Sequence, residues 1–79
     1  MVDVSKVKTG DRIFFKHNQV LIDFDVLSVD QPLLDFYCFE FTDFNGEPTS
    51  CIVYKNGKDV LGEKYGDIVK VEKRTRKVK

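Results

Sequence analysis

The sequence predicts an all-β fold, a single small barrel of five antiparallel strands with one short helical or 3-10 turn before the last strand. Three observations predict it. Short runs alternate apolar with polar residues, turn-forming Gly and Asn separate those runs, and the one helix-like stretch, Val60 to Gly66, is too short and glycine-rich for a stable helix. At 79 residues with 42% hydrophobic content the chain holds one core and no second domain. Residues 1–73 read as the domain and residues 74–79, RTRKVK, as a basic tail.

Taken in order, Val2, Val4 and Val7 mark an extended arm that ends in a turn at Thr9-Gly10-Asp11. Arg12 to Lys16 is a first strand with Ile13 and Phe15 on one face and Phe14 on the other. Val20 to Val29 is the longest strand candidate: Val20, Ile22, Phe24 and Val26 point one way, Asp23 and Asp25 the other. Asp30 to Asp35 is expected as a loop held by Pro32, with Leu33 and Leu34 tucked under the barrel or, as the alternative, exposed for contact with a partner.

Phe36 to Tyr54 reads as a hairpin because Asn45-Gly46 suits a two-residue turn that needs positive φ at both central positions. That turn sets Phe39 opposite Ile52 and Tyr37 opposite Tyr54. Tyr37, Phe39, Phe41, Ile52 and Tyr54 then form the core face, and Phe36, Cys38, Glu40, Thr42, Thr49, Cys51, Val53 and Lys55 the other. Asn56-Gly57 is a further turn, and Asp67 to Lys73 closes as the last strand with Val69 and Val71 inward.

Val7-Lys8-Thr9-Gly10-Asp11-Arg12-Ile13 and Gly66-Asp67-Ile68-Val69 resemble the opening and closing strands of SH3-like small barrels, including KOW and Tudor-type members. The resemblance spans roughly residues 7 to 73. The chain departs from the KOW pattern at Lys16-His17-Asn18-Gln19, where a lysine-glycine turn is expected, and lacks a methyl-lysine reader's full aromatic cage. The alternative fold is a five-stranded OB-like barrel.

The net charge is zero, but it is segregated. Residues 1–17 carry four Lys and Arg against two Asp, residues 18–50 carry seven acids and no Lys or Arg, and residues 51–79 carry nine Lys and Arg against four acids. Such a chain presents an acidic and a basic side, and steering follows the local field. Asp23, Asp25, Asp35, Glu40, Asp43 and Glu47 are therefore candidates for contact with a protein partner that has a basic surface. Phe36 and Val53 supply its apolar part, or a homodimer surface. The other candidate is a nucleic-acid site built from Lys6, Lys8, Arg12, Lys70, Lys73, Arg74, Arg76 and Lys77, with Phe14 and Tyr65 as stacking platforms.

Catalysis finds little support. There is one His, no GxSxG and no glycine-rich phosphate loop, and Cys38, Cys51 and His17 lack the spacing of a metal site, so no cofactor is expected. Paired Asp23 and Asp25 read as the solvent side of a strand rather than as an acid/base pair. No apolar run approaches the ~18 residues of a membrane span and the start lacks a secretory layout, so a cytoplasmic chain with reduced thiols is expected. The sequence thus points to a small noncatalytic protein-interaction or regulatory module, such as a phage- or virus-encoded inhibitor, with nucleic-acid binding as the alternative.

Overall fold

The computed structural model describes residues 2–62 and 65–74. Among them six strands form: β1 (Arg12–His17), β2 (Val20–Asp25), β3 (Ser28–Leu33), β4 (Phe36–Thr42), β5 (Pro48–Tyr54) and β6 (Ile68–Glu72). They make two three-stranded antiparallel sheets, ordered β2-β1-β6 and β3-β4-β5. The fold is all-β, but it has six strands in two sheets rather than five in one closed barrel. No helix forms among the described residues; Tyr65 lies in a turn, and Glu63 and Lys64, at the middle of the segment expected to hold one helical or 3-10 turn, lie outside the described residues.

The sixth strand arises because the expected strand Val20 to Val29 breaks at Val26-Leu27. Val26 still belongs to the first sheet: its N–H donates to the Asp11 carbonyl and its carbonyl accepts from the Gly10 N–H, both at 2.8 Å. The Leu27 N–H instead donates to the Glu40 carbonyl at 2.7 Å, in the second sheet. One residue closes one ladder and the next opens the other, with the Val26 side chain buried at the corner. The chain then continues as β3 through the segment expected to be a loop. Gln31 and Pro32 bulge out between the pairs Asp30–Cys38 and Leu33–Phe36, which lets a proline sit in an edge strand. Leu33 and Leu34 are 60% and 84% exposed, not tucked in.

The core joins Ile13, Phe15, Phe24, Phe39, Phe41, Val53 and Ile68 with Val4 and Val7 of the arm. Ile13, Phe15 and Phe24 face inward as their alternation predicts. Phe24 and Phe41 stack at 4.5 Å between ring centroids, joining the two sheets, and Tyr65 packs on Phe15, Phe24 and Phe41 at 5.5, 5.2 and 5.9 Å. Aromatic pairs of this kind add about 0.5–1.5 kcal/mol each beyond area burial.

The β4–β5 hairpin differs in register from the two-residue turn. Its loop holds three residues, Phe44-Asn45-Gly46, between Asp43 and Glu47: the Asp43 N–H donates to the Glu47 carbonyl and the Gly46 N–H to the Asp43 carbonyl, each at 3.0 Å. Only Gly46, at φ 78°, takes the left-handed conformation. The extra loop residue slides every pair by one, so Phe39 faces Cys51, Tyr37 faces Val53 and Phe36 faces Tyr54. Because strand side chains alternate, the whole of β5 is turned over. Cys51 and Val53 are core residues, while Ile52 and Tyr54 lie on the outer face.

A second slip occurs in β6, where the register shifts between Phe14–Lys70 and Phe15–Ile68. Ile68 and Val71 therefore point inward and Val69 is 43% exposed. Gly57, at φ 86°, is needed for close packing as well as for its turn, since a Cβ there would meet the Ile68 carbonyl oxygen at 2.4 Å.

Register has a chemical readout. Cys51 is 2% exposed in the core and Cys38 is half-buried on the opposite face, so no disulfide joins them. A thiol reagent added to the native chain is expected to label Cys38 alone, and urea to release Cys51, as read by mass spectrometry of the peptides. Native labelling of Cys51 before Cys38 would contradict this register.

Candidate functional site

The predicted acidic residues divide between the two sheets. Asp23 and Asp25 lie on the outer face of β2, where Arg12 of β1 reaches both: its Nε is 3.3 Å from Asp23 Oδ2 and from Asp25 Oδ1. All three side chains are largely exposed, so these pairs contribute at most about 1 kcal/mol, but they offset the charge. Asp23, Asp25 and Asp43 also line an open cleft of about 400 Å³ with Phe24, Leu27, Thr42 and Phe44. Asp35 sits in the β3–β4 turn. Glu40 lies on the outer face of β4 and accepts a 2.5 Å hydrogen bond from Ser28 Oγ. The Asp43 carboxylate accepts from the Asn45 and Glu47 N–H groups at 2.9 Å each, which organises the hairpin tip.

Phe36 stays on the outer face, its ring 5.4 Å from that of Tyr54. Val53 does not, being fully buried, and Ile52 takes the outer position instead. Cys38 lies beside them. Burial pushes its thiol pKa up, and the charges of Asp30 and Glu40 push it further in the same direction, so the thiolate is disfavoured here.

The basic residues gather around a carboxylate that the sequence shows only as part of a turn. Asp11 is 6% exposed. Its Oδ2 accepts from the Lys8 N–H and from Lys73 Nζ at 2.9 Å each, and its Oδ1 from the Arg74 N–H at 3.0 Å. Lys73 Nζ also donates to the Lys6 carbonyl. The backbones of Lys6, Lys8 and Arg74 thus meet the Lys73 ammonium and the Asp11 carboxylate, and Arg74, expected in the tail, is docked on the domain through its N–H. Arg12, Lys73 and Arg74 line a cleft of about 410 Å³ together with Gly10, Asp25 and Glu72. Lys70 is elsewhere, its Nζ 4.9 Å above the Phe14 ring. Tyr65 packs against the core aromatics rather than standing free as a platform. Arg76 and Lys77 lie outside the described residues.

Among the described residues, no group of three or more His, Cys, Asp or Glu side chains is placed to hold a metal ion, and no helix is long and apolar enough to cross a membrane. The chain matches no protein-family model, no curated protein and no solved structure.

Burial alone would raise the pKa of Asp11, but the bonds from Arg74, Lys73 and Lys8 outweigh it and hold the carboxyl below its ordinary 3.8. A lowered folded-state pKa stabilises the fold fully above the unfolded value, and this contribution is lost as pH falls through the folded one. Asp11→Asn places an amide where two donors converge, at an expected cost of about 1–3 kcal/mol. Urea unfolding from pH 7 down to pH 2 is the check. The difference between the wild type and the variant should be constant at neutral pH and shrink below the ordinary carboxyl range.

Proposed function

We propose that this chain is a small noncatalytic protein-interaction or regulatory module on an SH3-like scaffold, working through its acidic side in the manner of small phage- or virus-encoded inhibitors. The scaffold reading is supported by the course of the chain from Val20 to Leu33. If β2 and β3 are counted as one strand bent at Val26-Leu27 and shared by both sheets, six strands reduce to five.

One observation carries the functional reading. Residues 18–54 contain no Lys, Arg or His, and they build the whole second sheet, whose strands and turns hold Asp30, Asp35, Glu40, Asp43 and Glu47. The first sheet sets Arg12 against Asp23 and Asp25, so the acidic field is concentrated on the second. A field of one sign steers and selects a partner of the other. The partner in this reading is a protein with a basic surface, met in the cytosol, where both thiols stay reduced.

The nucleic-acid reading rests on a different observation, the convergence of Arg12, Lys73 and Arg74 on one cleft. Asp25 and Glu72 share that cleft and oppose a phosphate there.

A pull-down with the tagged full chain from whole-cell lysate, with and without nuclease, separates the two. Protein capture is expected to survive nuclease and to be lost in the variant Asp30→Lys/Glu40→Lys/Glu47→Lys. Capture that disappears with nuclease, or is undiminished in the charge-reversed variant, would overturn the proposal.

A further inference from the structure

The observed register creates a surface that the two-residue turn would not have made. On the outer face of the second sheet the cross-strand rows are Leu33–Phe36–Tyr54, then Asp30–Cys38–Ile52, then Ser28–Glu40–Ser50. Two adjacent rows are apolar apart from Asp30, and the third brings Glu40. Leu33 and Tyr54 are 60% and 40% exposed, and Phe36, Cys38 and Ile52 are half-buried, so the face is uncovered in the single chain. With strands about 4.8 Å apart and rows about 7 Å apart, the apolar block measures roughly 10 by 7 Å. That is room for a few side chains of a short segment.

Charge selects among the occupants. A two-fold dimer through this face would bring Asp30 and Glu40 of both copies together, and the strands on which they stand carry no cation to offset them. An anionic partner meets the same repulsion. A cationic segment that carries apolar side chains meets both features of the face at once.

Resting on the interaction-module reading, we infer that the outer face of the second sheet is the docking site, and that its occupant is a short segment of another protein in which apolar residues are flanked by Lys or Arg. The apolar side chains pack on Phe36, Ile52 and Tyr54, and the cations pair with Asp30 and Glu40. Apolar contact holds the segment; the acids select it against neutral or acidic competitors.

The test is a titration of the ¹⁵N-labelled full chain, followed by NMR, with a synthetic octapeptide of alternating Lys and Leu and with its Lys-Ser counterpart. Shifts confined to β3, β4 and β5, caused by the Lys-Leu peptide and weakened about tenfold or more by Phe36→Ser, support the site. Asp30→Lys, on the exposed edge strand, repeats the test if Phe36→Ser perturbs the fold. Equal response to the Lys-Ser peptide overturns the apolar part of the inference. Shifts centred on Asp23, Asp25 and Asp43 instead overturn the site while leaving the interaction-module reading, which the pull-down decides separately. Concentration-dependent shifts of the same face without peptide assign it to a second copy and overturn the occupant. No shift with either peptide at millimolar concentration overturns the inference outright.

Discussion

The Asp43 carboxylate, by accepting the Asn45 and Glu47 N–H groups, holds the three-residue loop on which the rest of the second sheet depends. With Gly46 in the left-handed conformation, that loop puts Asp43 opposite Glu47, and everything toward Phe36 and Tyr54 follows by alternation. Phe39, Phe41, Cys51 and Val53 become one buried face in consequence. A strand has no intermediate setting: moving the pairing by one residue would put Ile52 and Tyr54 into the core and expel Cys51 and Val53. Loop chemistry thus decides core composition and surface composition together.

A second constraint ties the ends of the chain to the corner between the sheets. Asp11 receives hydrogen bonds from the arm through Lys8 and from the end of β6 through Lys73 and Arg74, while its own backbone pairs with Val26 at the bend. The carboxylate is buried, but three donors meet it, which is the condition under which a buried charge is tolerated. The corner, the arm and the last strand are consequently held at one point. In a domain of this size, where one core is barely sufficient, the Phe24–Phe41 stack joins the two sheets while this polar tie holds the arm and the last strand at the corner.

Strand identity and inward faces were legible wherever a strand alternates without interruption. Ile13, Phe15 and Phe24 could be placed from pattern alone, as could the Asn56-Gly57 turn. Legibility failed at single-residue irregularities, because these depend on hydrogen bonds made at a distance. The hairpin slip rests on an Asp43 side chain accepting from two backbone groups, and the β6 bulge on pairing with β1. The break at Val26-Leu27 rests on two carbonyls, those of Asp11 and Glu40, that belong to different sheets. None of these leaves a periodic trace in the sequence. Asp11 was hidden for the same reason, since its partners Lys73 and Arg74 are more than sixty residues away. The acidic run was legible as composition, yet its division between a pair that shares Arg12 and a sheet whose strands carry no Lys or Arg was not.

That division determines which surface can act. Charge counted along the chain groups Asp23 and Asp25 with the later acids, whereas the fold gives them Arg12 as a neighbour across β1. One guanidinium facing two carboxylates halves their local charge, at little gain in stability, because exposed pairs are weak. Asp30 and Glu40 have Ser28, Cys38, Ser50 and Ile52 around them, and the strands of their sheet provide no cation. A partner approaching the second sheet meets Asp30 and Glu40 on strands without a cation, next to the exposed or half-buried side chains of Leu33, Phe36, Ile52 and Tyr54. The hairpin slip therefore exchanges Cys51 and Val53 for the larger Ile52 and Tyr54 beside Phe36, and so decides which apolar side chains stand next to Glu40 and Asp30.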